Sequence, residues 1–161
     1  MKIEDIIIRI LVGSLIGALI GSERKKSGKP AGITTHLVVC LGATLLTIIQ
    51  SKIDEDTIKY ALAHPNLLGA LKVDTARIPA QIVSGIGFLG GGVILHSKDS
   101  VSGITTAATI WITACLGIGV GFGYYTIVIP VTAVLLIFLY VLKRHGIFAE
   151  IDDTFEDTFK N

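Results

Sequence analysis

The stretch that decides the fold is residues 77–113, which read RIPAQIVSGIGFLGGGVILHSKDSVSGITTAATIWIT. Its first half is an apolar run with five glycines, and its second half is an apolar run with repeated threonines. Small residues let helix backbones approach closely, and hydroxyl groups hydrogen-bond between helices in a medium without water. An interior glycine costs a helix about 1 kcal/mol relative to alanine, which is unfavourable for a water-soluble core. The stretch therefore predicts two closely packed membrane helices.

The composition indicates a membrane protein. Of the 161 residues, 51% are hydrophobic and 17% are charged, and the charges lie between long apolar runs. The net charge of +1 and the lack of a basic-aromatic pattern argue against nucleic acid as a partner and leave the lipid bilayer. Cys40 and Cys115 belong to no CxxC or metal-spaced pair, so we expect reduced packing residues.

Five membrane spans can be drawn, because about 20 helical residues cross a hydrocarbon core of about 30 Å. We expect them at 3–21, 33–50, 78–96, 103–120 and 124–142. The predicted fold class is an all-α membrane protein, a polytopic bundle of about five transmembrane helices with glycine-rich tight helix packing. The transmembrane domain would take residues 1–143, and residues 144–161 would form a short acidic cytoplasmic tail. The long connection 51–77 is expected to form short amphipathic helices on the membrane surface, broken at Pro65.

The distribution of lysine and arginine predicts the orientation. The connection between the first two spans is basic, and so is the start of the tail; the cations are Arg24, Lys25, Lys26, Lys29, Lys143 and Arg144. Placing them inside gives an external N-terminus and a cytoplasmic C-terminus.

Glycines recur in the first span at Gly13, Gly17 and Gly21, so they line one helix face. Packing inside the bundle is the first interpretation of this face, and a homodimer interface is the second. Arg9 lies on the same face, and an arginine within a span needs a partner. Asp5, one turn away, is the expected partner.

Several polar positions are candidates for function, each with a structural alternative. Glu23 and Arg24 end the first span, and Glu23 runs against the positive-inside pattern. His36 begins the second span, where a structural hydrogen bond is the alternative to a ligand role. Arg77 and Gln81 lie at the outer mouth of the third span, where they would bind an anionic headgroup or satisfy neighbouring helix ends.

The two halves of the opening stretch are expected to pack tightly, through Gly85, Gly87 and Gly90 in the third span. In the fourth span, Thr106, Thr109 and Thr113 share one helix face, which indicates interhelical hydrogen bonds. Trp111 lies in mid-span and is expected to pack inside the bundle.

Three segments together resemble the MgtC/SapB family of bacterial inner-membrane proteins: GSERKKSGKPAGITTHLVVCLGA (21–43), RIPAQIVSGIGFLGGGVIL (77–95) and GITTAATIWITACLGIGVGFGYY (103–125). The motif positions carried over are Glu23, Arg24, Ala31, Gly32, Thr35, His36, Arg77, Gln81, Gly85, Gly87, Phe88, Gly90, Thr105, Thr106, Ala107 and Trp111. The chain departs from the family pattern in two places. It has AGITT where AGLRT is usual, so that Thr34 replaces a basic residue, and it has GFLGGG in place of GFLGAG.

The resemblance implies a non-enzymatic inner-membrane protein linked to magnesium homeostasis, growth in low magnesium and virulence. It also implies modulation of another membrane complex, such as the F-type ATP synthase. Larger members resemble a membrane domain followed by a soluble ACT-like domain, which we expect this chain to lack.

The alternative function is a magnesium or other cation transporter or channel that acts as an oligomer. Mg²⁺ takes oxygen ligands that usually include one or two carboxylates, and the second to fifth spans contain no Asp or Glu. The sequence also has no hydrolase, kinase or nucleotide-binding motif, because SGIGFLGGG lies within an apolar span and follows no strand. A modulator without catalytic residues, metal ligands or cofactors is therefore the expected function.

Overall fold

The computed structural model describes residues 1–67, 72–96 and 101–144. Its helices are α1 (Ile3–Lys26), α2 (Ile33–Ala63), α3 (Arg77–Gly91), α4 (Ile104–Phe122) and α5 (Tyr125–Arg144). A short 3-10 turn covers Pro65–Leu67, and the strands β1 (Leu95–His96) and β2 (Val101–Ser102) pair as an antiparallel ribbon with Leu95 opposite Ser102. The fold class predicted from the sequence is confirmed. The acidic tail predicted for 144–161 lies, beyond Arg144, outside the described residues.

Helix α2 is the centre of the bundle. Its contacts with α1 on one side and with α4 on the other are the most extensive in the described chain, and α3 packs mainly on α4. Side chains from α1, α2, α4 and α5 form one buried cluster; these are Ile16, Ile20, Cys40, Leu116, Val120, Val128 and Leu139. The bundle is thus organised around the second span rather than around the third and fourth.

The ends of the helices follow from local chemistry. Helix α1 has Glu4 and Asp5 in its first turn and basic residues in its last, which complements the helix dipole. Helix α4 lies between Gly103 and Gly123, whose φ angles of 89° and 79° are left-handed. Glycine adopts this conformation without the steric cost that a Cβ would add.

The ends of three helices differ from the sequence prediction, and the first of these is α1, which continues five residues past 21 to Lys26. The third span was expected to run to residue 96, but α3 ends at Gly91, where three successive glycines have the weakest helix propensity after proline. The connection after residue 50 was expected to lie on the membrane surface, but α2 continues as one helix to Ala63 and stops before Pro65. Ion pairs one turn apart stabilise this extension, with 2.6 Å between Lys52 Nζ and Asp56 Oδ1 and 2.5 Å between Lys59 Nζ and Glu55 Oε1.

The outer surface of the bundle is strongly apolar. On α1 the exposed residues Ile7, Leu11, Leu15 and Leu19 recur every four positions, and exposed aliphatic and aromatic side chains cover α5. By length and composition, α2 and α4 are able to cross a membrane, and Tyr125–Tyr140 of α5 is a shorter apolar helix. These surfaces suit contact with lipid tails.

Candidate functional site

The glycines of α1 are in close contact with α2. A methyl group added at Gly17 would lie 2.6 Å from the carbonyl oxygen of His36, and one added at Gly21 would lie 2.5 Å from the Cα of Ile33. At Gly13 the added methyl would meet the hydroxyl oxygen of Thr44 at 2.6 Å. The structure therefore places this glycine face against α2 of the same chain.

A second glycine contact joins α2 to α4. A methyl group added at Gly117 would lie 2.5 Å from the carbonyl oxygen of Cys40, and Gly121 lies directly against Thr47. The hydroxyl of Thr44 donates to the carbonyl oxygen of Gly117 across the same interface at 3.1 Å. This interface was not predicted from the sequence, although Gly117 and Gly121 have the same four-residue spacing as the α1 glycines.

Two of the three glycines of α3 that were predicted to pack tightly do not contact another described helix. Only Gly90 of the three predicted packing residues approaches another described helix, with an added methyl 3.6 Å from the Cβ of Ala107. No described atom outside α3 lies within 4 Å of a methyl group added at Gly85 or Gly87. Phe88, which follows Gly87, is 91% exposed, because its side of α3 points away from α4. The tight contact expected for these two glycines is therefore not made within the described chain.

The end of the bundle that carries residues 23–36, called here the basic end, brings several predicted residues together. Arg24 and His36 are buried, and Nδ1 of His36 lies 3.0 Å from the carbonyl oxygen of Gly32. Nε2 of His36 lies 3.4 Å from the hydroxyl oxygen of Thr109 on α4, so the imidazole bridges two helices. Nη1 of Arg24 is 3.9 Å from Oε2 of Glu23, and the other carboxylate oxygen of Glu23 accepts a hydrogen bond from Ser27 Oγ at 2.5 Å.

The remaining predicted residues of the fourth span divide between the core and the surface. Thr106 is buried, but Thr105 is exposed, and Trp111, which was expected inside the bundle, is 44% exposed. Thr113 donates to the carbonyl oxygen of Thr109 at 2.6 Å within its own helix. Among the described residues, the threonine face makes one of the expected interhelical contacts, that of Thr109 with His36. A threonine hydroxyl also reaches the carbonyl one turn earlier on its own helix, as Thr113 does. Thr35 is half-buried at the start of α2.

At the opposite end, which carries residues 50–79 and is called here the acidic end, Arg9 has a different partner from the one predicted. Its Nη1 donates to the carbonyl oxygen of Gly121 at 2.6 Å, beside the C-terminus of α4. No ion pair joins Arg9 to Asp5 in the part of the chain that the structure describes. The guanidinium instead satisfies a carbonyl of the last turn of α4, where the helix dipole favours a cation.

Gln50, which the sequence analysis did not single out, holds the start of α3. Its amide nitrogen donates to Asp54 Oδ1 at 2.7 Å and to the carbonyl oxygen of Asp74 at 3.1 Å. Its amide oxygen accepts from the backbone N–H of Ile78 at 3.3 Å, which satisfies one of the free amides at the helix N-terminus. A buried amide at the end of an apolar span was the signal available in the sequence.

Arg77 and Gln81 are both exposed at the acidic end and lie far along the bundle from Glu23 and Arg24. Arg77 Nε is 3.3 Å from Asp74 Oδ2. The two residues lie beside a groove of about 640 Å³ between α2 and α3, whose apolar lining includes Val38, Leu46 and Ile82. The predicted site residues thus form two separate groups, one at each end of the bundle.

The acidic end also holds the carboxylate whose pKa is most perturbed outside the spans. The ammonium group of Lys59 hydrogen-bonds Glu55, and the amino group of Met1 contacts the same carboxylate at 2.5 Å. Together they lower the pKa of Glu55 to about 2. Among the described residues, no three His, Cys, Asp or Glu side chains are grouped as metal ligands would be.

An all-α bundle with glycine contacts between apolar helices defines this chain as a membrane protein, and it belongs to the MgtC family. The family model matches residues 10–146. The chain is 41% identical to SapB of Bacillus subtilis over 122 residues, which are 75% of this chain and 49% of that protein. It is 35% identical to MgtC of Salmonella typhimurium LT2 over 130 residues, which are 81% of this chain and 49% of that protein.

A further relative is YhiD of Escherichia coli K12, described as a proposed magnesium transporter. The identity is 36% over 140 residues, covering 87% of this chain and 61% of that protein. The chain therefore spans about half to three fifths of the length of these relatives. No solved structure is detectably similar to it.

Proposed function

We propose that this chain is a non-enzymatic protein of the bacterial inner membrane that acts in magnesium homeostasis by modulating another membrane complex. The observation that carries the proposal is the backbone contact of α2 with both of its neighbours. A methyl group would not fit at Gly17 or at Gly117, so at these two contacts the described helices leave no space for a hydrated ion. Mg²⁺ dehydrates reluctantly and needs oxygen ligands, usually including carboxylates.

The link to magnesium and to growth in low magnesium comes from family membership. The F-type ATP synthase is the partner complex that we propose on the same basis. The basic residues at the end of α1 support an orientation with residues 23–36 on the cytoplasmic side and the N-terminus outside.

The exposed face of α3 supports contact with another membrane helix. Gly87 leaves the backbone of α3 open, and the neighbouring Phe88 projects from the helix at 91% exposure. Small residues at such a face let a second helix pack closely, either from the partner complex or from a second copy of this chain.

The experiment is chemical crosslinking in native membranes of cells grown at limiting magnesium, followed by affinity purification of the full chain. Subunits of the ATP synthase should be enriched over those recovered with an unrelated membrane protein. Phe88→Ala should reduce the recovery, while Leu11→Ala, which shortens an exposed apolar side chain on α1, should not. Recovery no greater than with the unrelated protein would remove the proposed partner.

The second candidate function is an oligomeric transporter of magnesium or another cation, which the description of YhiD favours. An ion route would then run between chains rather than through one bundle. Saturable, protein-dependent entry of Mg²⁺ into reconstituted liposomes would favour this function over modulation.

A further inference from the structure

Arg24 has a guanidinium edge that nothing in the described chain fills. The residue is 4% exposed, and its Nε and Nη2 atoms are buried without a hydrogen-bond partner. These two nitrogens point their N–H groups in parallel from one side of the planar group. That geometry matches two oxygens of a single phosphate or carboxylate.

Glu23 does not fill this edge, although it is the adjacent residue. Its Oε2 lies 3.9 Å from the other terminal nitrogen, Nη1, and itself has no hydrogen-bond partner. Buried polar groups are almost always paired in folded proteins, and an unpaired charged donor is more costly than a neutral one. A third group is therefore needed at Arg24.

The surroundings of Arg24 favour an anion. Helix α2 begins after Gly32, and among the described residues no side-chain hydrogen bond caps its N-terminus. The free N–H groups and the dipole of a helix N-terminus attract negative charge. His36 connects Gly32, at the start of α2, to Thr109 in the second turn of α4. The described residues 23–36 carry four cations and one carboxylate.

The position of Arg24 along α1 favours phosphate over a carboxylate of a protein partner. The exposed apolar face of α1 ends at Leu19, five residues before Arg24. At 1.5 Å per residue, Arg24 lies about 7 Å further along the helix axis than Leu19. If Leu19 contacts the ends of the acyl chains, Arg24 lies at the level of the lipid headgroups.

We propose that Arg24 binds a phosphate group at the basic end of the bundle, with Nε and Nη2 donating to two phosphate oxygens. Lys29, exposed at this end, increases the local attraction for the anion. The phosphate comes either from an anionic lipid headgroup or from a free phosphate ion.

The test uses the full chain in a maltoside detergent, which contains no phosphate, and follows thermal unfolding by the fluorescence of Trp111, the single tryptophan. Phosphatidylglycerol and inorganic phosphate are titrated separately, and the half-saturating concentration for stabilisation is measured. Arg24→Gln removes the charge and the paired donors, and Arg24→Lys keeps the charge but cannot present two parallel donors. Lys25→Gln is the matched control, since it removes a neighbouring exposed cation.

Both Arg24 variants should raise the half-saturating concentration about 10- to 100-fold, the range for loss of a charge-assisted pair. Lys25→Gln should change it about twofold, as expected for loss of one exposed, solvent-screened charge. A response to phosphatidylglycerol alone assigns a lipid headgroup, and a response to inorganic phosphate assigns a free ion. If Arg24→Gln does not fold, Arg24→Lys decides the question. No stabilisation by either compound, or a response that is unchanged in the Arg24 variants, would overturn the proposal and leave water as the partner of this edge.

Discussion

The glycine contact between α1 and α2 can be tested by comparing two alanine substitutions, Gly17→Ala and Gly42→Ala. Both glycines lie inside helices, so both substitutions gain the same helix propensity, about 1 kcal/mol. They differ in what the new methyl group meets. At Gly17 it would lie 2.6 Å from His36 O and 2.7 Å from the Cα of Leu37, whereas at Gly42 it meets no atom within 4 Å.

The size of the effect follows from these distances. Ordinary van der Waals contact begins at 3.4 Å, so the backbones at Gly17 must separate by about 0.8 Å. Overpacking of a well-packed interior costs about 1–3 kcal/mol. Because the propensity gain cancels between the two variants, Gly17→Ala should be less stable than Gly42→Ala by that amount. The difference corresponds to about 5- to 150-fold in the unfolding equilibrium.

The assay is reversible unfolding in mixed detergent and SDS micelles, followed by circular dichroism, with the free energy of unfolding extrapolated to zero SDS. The oligomeric state of both variants is measured in parallel by light scattering. Equal stability of the two variants would refute the close α1–α2 contact. A Gly17→Ala variant that folds normally but loses self-association would instead restore the homodimer interpretation of this glycine face.

Three further predictions concern single polar contacts. Gln50→Leu should destabilise the fold by about 1–3 kcal/mol, because three partly buried hydrogen bonds are lost, and should speed amide exchange at residues 76–82. Equal protection of these residues in Gln81→Leu and Gln50→Leu would contradict this role. Arg9→Met should lower the free energy of unfolding by about 1–2 kcal/mol, because the carbonyl of Gly121 at the C-terminus of α4 loses its donor. Asp5→Asn should change the free energy of unfolding little. A large loss of stability in Asp5→Asn would instead support the Arg9–Asp5 ion pair. The pKa of Glu55 is lowered to about 2, so its contribution to the α2 extension is present above about pH 4.5 and is lost as the pH falls through 2. Amide protection of residues 51–63 should therefore be lower at pH 2 than at pH 4.5, and equal protection at the two pH values would contradict this contribution.

The sequence was sufficient for the helical class and for the positions of the five helices, because apolar runs of about 20 residues separated by charged or glycine-rich connections have few other structures. It was also sufficient to find Gly13, Gly17 and Gly21 as a packing face, since their spacing places them on one side of α1. The sequence did not show which helix that face meets. Glycine spacing describes a surface, and the partner of a surface depends on the arrangement of the whole bundle.

The polar contacts were harder to predict for a related reason. Asp5 is the nearest acid to Arg9 along the chain, but the carbonyl of Gly121 lies closer in space because the C-terminus of α4 packs beside α1. The role of Gln50 depends on how the start of α3 packs against the end of the second span, which the apolar pattern does not show. At the basic end, the sequence identified Glu23, Arg24 and His36, but the unpaired edge of Arg24 became apparent only from atomic positions.

Whether the chain itself conducts Mg²⁺ is tested most directly by Mg²⁺ entry into liposomes that contain the purified full chain and a magnesium-sensitive dye. Empty liposomes and liposomes with a characterised magnesium channel are the two controls. A bundle closed by backbone contacts at Gly17 and Gly117 should give entry no faster than empty liposomes, at any ratio of protein to lipid. Entry that saturates with Mg²⁺ and increases with the amount of protein would contradict the proposed modulator function and establish transport.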